Sequence, residues 1–346
     1  MTPMTHLLGK FVRNMHLGAL MTGALLAGCS KPADTTASAP AAPAASTPAA
    51  STPAAGKPLT VGFAQTGAES AWRTANTNSM KDEAAKRGIT LKFSDGQGKQ
   101  ENQIAAVRNF IAQGVDVIVI APVVEAGWEP VLQEAKRAHI PVVDSDRQMV
   151  VSDPTLYACF IGSDFKTEGK MVGDWVAAHT NGKGRILEIS GTPGSAPAID
   201  RHQAFADAIA KYPGLTIIDS QSGDFRRTNG KEVMEAFLKK YGHDFDVVYA
   251  HNDDMALGAI QAIEEAGLKP GKDVMVVSID GLKEAVQAVA DGKINCVVEC
   301  NPLSGPLIYD AAQKIVAGGT VPAVTYNKDQ LFDSTNAAAA VSTRQY

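Results

Sequence analysis

LTVGFAQTGAESAWRTANTNSMKDEAAKRGITLKFSD, running from Leu59 to Asp95, sets the architecture. It opens on a short apolar run, LTVGFAQ, continues through the helix-period segment WRTANTNSMKDEAAKRG, and closes on a second run, ITLKFSD. Short continuous apolar runs separated by longer amphipathic segments mark βαβ units with buried parallel strands. Working outward, the same rhythm recurs in VDVIVIAP from Val115, IPVVDSD from Ile140, LYACFIGSD from Leu156, GRILEIS from Gly184, LTIIDSQS from Leu215, FDVVYAHN from Phe245, DVMVVSID from Asp273 and INCVVEC from Ile294. Ten such runs exceed what one doubly wound sheet usually holds. The reading is therefore two α/β domains, the first ending near Gly162 before the helical segment FKTEGKMVGDWVAAH.

In open parallel sheets, ligands bind beyond the carboxyl ends of the strands. Those ends carry Gln65, Asp95, Pro122, Asp146 with Arg147, Asp164, Asp224 with Phe225, Asn252 with Asp253, and Asp280. Both halves thus present a polar rim, which suits a ligand held between them. Asp95, Asp164 and Asp253 read more simply as helix N-caps, since an Asp side chain accepts from free N–H groups there. Asp146 with Arg147 makes a poor cap but a good pair of hydroxyl ligands.

Composition narrows the function further. The 346 residues, 45% hydrophobic, are enough for one large core or two ordinary ones. Lys and Arg total 32 against 37 Asp and Glu, a net charge of −5 that offers no footprint for nucleic acid or an anionic membrane surface. Four cysteines, with CVVEC at Cys296 to Cys300, do not form a CxxC redox or zinc pattern. No GxSxG, HExxH, P-loop or GxGxxG motif is present, and Gly96 and Gly98 lack a third glycine. Of the seven histidines only His251 sits at a strand end. Nothing among these residues argues for an enzyme, and no cofactor or metal is expected.

The N-terminus reads as an address. Residues 1–28 carry Lys10 and Arg13, no acid, and the apolar run Leu17 to Gly28, too short for a membrane-spanning helix. Its end, Leu26-Ala27-Gly28-Cys29, resembles the lipobox of bacterial lipoproteins, so Cys29 is the expected lipidation site. Residues 29–57, almost wholly Ala, Pro, Ser and Thr, read as a disordered tether. Stretched at about 3.1 Å per residue it would reach roughly 85 Å. The expected location is the periplasm or cell envelope, with membrane contact only through the lipid.

From Leu59 onward the chain resembles the type I periplasmic sugar-binding proteins of ABC transporters, the ribose-binding group, and most of all its galactofuranose-binding branch. The likeness rests on ESAWR from Glu69, ENQIAAVRNFIAQGVD from Glu101, APVVEAGWEPVLQEAK from Ala121, AIDRHQAF from Ala198, SQSGDF from Ser220, KEVMEAF from Lys231, YAHNDDMALGAIQAIEEAGLKPGKD from Tyr249 and SIDG from Ser278. It implies two doubly wound parallel-sheet lobes joined by three crossing strands. Residues 58–162 with 300–327 would form lobe 1, and 163–299 with 328–346 lobe 2.

Carried over residue by residue, the resemblance puts Glu69, Trp72 and Arg73 on the loop after the first strand, at a sugar. Asp146 and Arg147 match its Asp-Arg pair, Arg201 its later arginine, and Phe225 its aromatic. Asn252 and Asp280 match an amide and an acid at strand ends, and Glu299 a polar group on the last crossing strand. Planar Asp, Arg and Asn grip adjacent hydroxyls in pairs, and a sugar's C–H face stacks on Trp or Phe. The partners implied are a monosaccharide, most simply galactofuranose or a similar furanose or hexose, and the permease and ATPase of an importer. A monomer that closes about a hinge is expected. The alternative is a sensing module of the same fold that signals to a chemoreceptor or sensor kinase. Cys159 and Cys300 are a candidate disulfide, whereas Cys296 and Cys300, roughly 13 Å apart along one strand, are too distant to pair.

Overall fold

Every residue of the run Val117–Ile120 is buried to the last atom. Val117 and Val119 pack with Met80, Ala84, Ile308 and Tyr309, while Ile118 and Ile120 pack on the opposite side with Phe110, Val131 and Leu132. Successive side chains of a strand point to opposite faces, so a continuously apolar strand is stable only when helices cover both.

The computed structural model describes residues 58–346. The expected export signal, Cys29 and the tether lie outside the described residues. The chain alternates β1 (Thr60–Gln65), α1 (Ala71–Arg87), β2 (Thr90–Asp95), α2 (Gln100–Ala112), β3 (Val117–Ile120), α3 (Glu129–Arg137), β4 (Val142–Ser145) and β5 (Cys159–Gly162). It continues with α4 (Phe165–His179), β6 (Lys183–Ser190), α5 (Ala196–Ile209), β7 (Gly214–Ser222), α6 (Arg227–Tyr241), β8 (Val247–Ala250), α7 (Asp253–Glu265), β9 (Met275–Asp280), α8 (Lys283–Ala290) and β10 (Cys296–Glu299). It ends with α9 (Gly305–Val316), β11 (Val324–Tyr326), β12 (Leu331–Asp333) and α10 (Ala337–Ala340).

These strands form two six-stranded sheets. The first has the order β11-β5-β4-β3-β1-β2 and is wholly parallel. The second runs β12-β10-β9-β8-β6-β7 and is parallel except for β12, which lies antiparallel to β10. The chain leaves the first sheet after β5, returns after β10 and leaves again after β11, so three segments cross between the lobes. Side chains tie these crossings together. Asn327 Nδ2 donates to the Asn301 carbonyl (3.0 Å) and to Ser163 Oγ (3.3 Å), and the Asn301 amide donates to Asp329 Oδ1 (3.1 Å).

Several sequence expectations need correction. The sheets hold twelve strands and not ten, because β11 and β12 are three-residue edge pieces with no continuous apolar run. Asp164 caps α4, accepting from the Lys166 and Thr167 amides. Asp95 instead accepts from the Gln97 amide within its own turn. Asp253 is not a cap either: Asn252 caps α7, accepting from the Met255 amide, while Asp253 accepts from Ser278 Oγ and the Leu282 amide. Cys159 and Cys300 are not joined; both are buried free thiols, as is Cys296.

Candidate functional site

The wall contributed by lobe 1 is an ion network built on the ends of β1 and β4. Ser70 caps α1 by accepting from the Arg73 amide (3.1 Å), so Trp72 and Arg73 stand in the helix's first turn and not on the preceding loop. Arg73 donates through Nε to Glu69 Oε1 (3.1 Å), through Nη1 to Gln65 Oε1 (3.3 Å), and pairs through Nη2 with Asp146 Oδ2 (2.6 Å). Arg147 donates through Nη2 to Glu69 Oε1 (3.0 Å) and through Nη1 to the Val123 carbonyl (3.3 Å). Burial works against ionisation of Glu69, yet Arg73 and Arg147 hold its carboxyl below the usual range. Burial likewise opposes the charge on Arg73, but Asp146 and Glu69 make it more basic than an ordinary guanidinium. Arg147 goes the other way: burial and then the adjacent Arg73 push it down to about 10. Among the described residues, the buried Glu69 Oε2 and Arg147 Nε of this wall find no hydrogen-bond partner.

The facing wall, from lobe 2, is arranged around Arg201 on α5. Its Nε donates to Glu168 Oε2 (2.7 Å) and its Nη1 to the His251 carbonyl (2.6 Å), while Nη2 stands 3.8 Å from Asp280 Oδ1. Burial pushes Glu168 up to about 7 against the pull of Arg201. Asp280 is driven well above the carboxylate range by burial, which Arg201 only partly offsets. Asn252 donates Nδ2 to the Phe225 carbonyl (3.2 Å) and uses Oδ1 for the α7 cap, leaving the second Nδ2 hydrogen free. The Phe225 ring fills the space beside Gly191, where a Cβ would lie 1.9 Å from the ring. A side chain at Gly191 would therefore displace the Phe225 ring.

Three guanidiniums each face an aromatic ring: Arg73 at 4.7 Å from Trp72, Arg201 at 5.2 Å from Phe165, and Arg147 at 5.0 Å from Phe225 of the opposite lobe. Trp72 itself donates Nε1 to the Cys300 carbonyl (2.5 Å) and packs within the apolar cluster of lobe 2. Backbone strain collects here as well. Asp146, Phe225 and Asp280 have φ of 63°, 60° and 135°, values that side-chain-bearing residues rarely adopt and that concentrate at functional sites.

The two walls flank a cavity with about 290 Å3 of space free of protein atoms, part of it open to solvent. Glu69, Trp72, Arg73, Asp146, Arg147, Arg201, Phe225, Asn252 and Asp280 all line it. Glu299 does not; its carboxylate is engaged by Arg344 and Tyr346 on the far side of the strand end. Sequence reasoning missed Ser70, Phe165, Pro197 and Cys300, which also line the cavity. Phe165 had a usable signal, an aromatic directly after the Asp164 cap of a helix that starts at a crossing. Arginine forks and carboxylates in matched number, set beside aromatic faces, suit a small neutral polyol better than an ion. Among the described residues, no group of three His, Cys, Asp or Glu side chains is arranged to hold a metal ion.

The family model for the periplasmic binding protein domain matches residues 61–320. The chain belongs to this family. It is 55% identical over 280 residues to the galactofuranose-binding protein of Escherichia coli (strain K12), covering 80% of this chain and 88% of that protein. The ribose import binding protein of Bacillus subtilis (strain 168) is 31% identical over 267 residues, 77% of this chain and 84% of its own. A crystal structure of a galactofuranose-binding protein superposes with a TM-score of 0.81 at 53% identity, covering 83% of this chain and 99% of that one. A Mycobacterium smegmatis protein in complex with β-D-fucofuranose superposes equally well, at 0.81 and 53% identity over 83% of this chain and 95% of that one. The two parallel-sheet lobes are thus the type I periplasmic binding protein fold. Among the described residues, no helix is long and apolar enough to cross a membrane.

Proposed function

We propose that this protein is the binding component of an ABC sugar importer, closing about a monosaccharide in furanose form, with galactofuranose the first choice. One observation carries the reading: side chains from both lobes converge on a single cavity in which Glu69 Oε2 and Arg147 Nε find no hydrogen-bond partner among the described residues. Buried polar atoms left unpaired cost about 1–3 kcal/mol each, so the site is built for a ligand that supplies hydroxyls. The furanose-binding names of the relatives support the ring form. A thermal-shift panel of D-galactose, L-arabinose, D-ribose and D-fructose tests it. A sugar present at about 100 times its Kd stabilises the fold by about 2.7 kcal/mol, and a panel that leaves the melting temperature unmoved overturns the reading.

The proposal extends to a monomer, held at the membrane by lipid on Cys29 and handing its sugar to a permease and ATPase without chemical change. Intact-mass measurement of membrane-extracted protein should show a chain that begins at a modified Cys29; an unmodified chain cleaved elsewhere contradicts the anchor. One observation favours sensing as a second reading. The fructose-binding periplasmic domain of a hybrid two-component system superposes with a TM-score of 0.76 at 29% identity. Neighbouring genes for a permease and ATPase favour import, and a neighbouring sensor kinase favours signalling.

A further inference from the structure

Glu299 stands behind the cavity wall and does not line it. It ends β10 as the register partner of Asp280, which ends β9. Its Oε1 accepts from Arg344 Nη1 (2.6 Å) and from the Tyr346 hydroxyl (2.9 Å), and the Glu299 and Arg344 side chains are 4% and 7% exposed. Arg344 Nε donates to the Gly281 carbonyl (2.9 Å), and the Lys283 amide donates to the Tyr346 carbonyl (2.6 Å). The guanidinium lies 4.9 Å from the Phe332 ring and 4.4 Å from that of Tyr346. It also presses on the turn itself, for a Cβ on Gly281 would lie 2.9 Å from Arg344 Nη2.

That turn needs holding. Asp280 has a φ of 135° and Gly281 a φ of 82°, and an L residue held at such an angle persists only where its surroundings over-determine it. On the inner side, the Cys300 amide donates to the Asp280 carbonyl (3.0 Å) and the Leu282 amide to Asp253 Oδ2 (2.7 Å). On the outer side the restraints come from Arg344 and Tyr346. We propose that Glu299, Arg344 and Tyr346 form a clamp that positions the Asp280 carboxyl in the cavity, so that Arg344 and Tyr346 help set sugar affinity. Buried ion pairs contribute little net stability against apolar replacements, which leaves geometry as the clamp's main effect. The clamp's link to affinity rests on the sugar reading above.

The test compares the parent with Arg344→Lys and with the paired variant Glu299→Gln/Arg344→Met, which leaves no bare buried charge. Calorimetric titration uses D-galactose and L-arabinose, and amide hydrogen exchange is followed at Leu282 and Lys283. The paired variant should stay folded, exchange faster at Lys283 and lose about tenfold or more in affinity, with Arg344→Lys intermediate. Affinity equal to the parent's, or unchanged exchange at Lys283, overturns the clamp. Should the paired variant melt far below the parent, Tyr346→Phe carries the test, with a loss of about threefold expected and none contradicting it. If the parent binds neither sugar, the functional reading falls, while the exchange data still decide whether the turn is held this way.

Discussion

The two walls of the cavity are made of the same residue types yet are electrostatically opposite. On the lobe 1 wall, Arg73 sits between two carboxylates, and Glu69 stays ionised in spite of its burial. On the lobe 2 wall, Arg201 is spent on Glu168 and a carbonyl, and the acids Glu168 and Asp280 are pushed upward. The difference lies in donor supply. Lobe 1 brings two arginines to Glu69 and Asp146, whereas lobe 2 brings one to Glu168 and Asp280. Lobe 1 is therefore a fixed, charged grip, and lobe 2 a wall whose protonation changes near neutrality.

The sharpest way to break this contrast is to remove one arginine from each wall. Arg201→Ala strands Glu168 and Asp280 in the interior, so it should cost about 3–5 kcal/mol of folding stability as well as sugar binding. Arg147→Ala removes a guanidinium that its neighbour Arg73 already disfavours, and Arg73 still holds Glu69 and Asp146. It should lose about 2–5 kcal/mol of binding, roughly 30-fold or more, while the sugar-free protein melts near the parent temperature. Melting and titration of both variants check the pair, and equal destabilisation would erase the distinction.

Acidity separates the walls next. Glu168 titrates near 4.5 in an unfolded chain and at about 7 in the native one, so between those values only the native state keeps the proton. Stability from this group accordingly falls as pH rises from about 4.5 to about 7, by about 1.4 kcal/mol per unit. Asp329 at the crossings, raised by burial to about 6, adds to the same slope. Asp253 behind the lobe 2 wall and Asp144 behind the lobe 1 wall are raised as well, so the substitution is what isolates Glu168. Glu69, lowered by its arginines, contributes the reverse slope only below 4.5. Glu168→Gln should flatten the fall in unfolding free energy between pH 5 and 7 by about 1.4 kcal/mol per unit, followed by denaturant melts; an unchanged slope would remove Glu168 from the explanation.

Smaller effects come from contacts that join the walls. Trp72→Phe keeps the ring but leaves the Cys300 carbonyl without its indole donor, which should weaken sugar binding by about 1 kcal/mol. The α1 amide of Ala71 donates to Asp254 Oδ2 across the lobes (2.7 Å). Asp254→Ala should raise the sugar's dissociation rate by about three- to tenfold and leave association unchanged. Asp254→Asn, which retains the acceptor, should restore most of the difference in stopped-flow traces.

Much of this was legible in the chain because buried parallel strands leave long apolar runs, and because a polar residue at a strand's carboxyl end faces the crevice. The Asp146-Arg147 pair stood out on that basis. Glu299 shows the limit of the argument. Position at a strand end places a residue in height but not on a face, and the group that claims its carboxylate, Arg344, lies 45 residues further along. Trp72 shows another limit: the family resemblance put it on a loop, but the Ser70 cap starts the helix one residue before it. Phe165 and Cys300 became cavity residues only through the crossing of segments far apart in sequence.

The central claim is that one sugar is shared by both walls and that the lobes close on it. Small-angle scattering on the protein with and without a saturating sugar, with saturation established by calorimetry on the same sample, tests this most directly. Closure predicts a smaller radius of gyration with sugar, and the compaction should persist in Asp254→Ala at saturation. A radius that stays the same while the sugar is fully bound would contradict it, leaving a ligand held by one lobe alone.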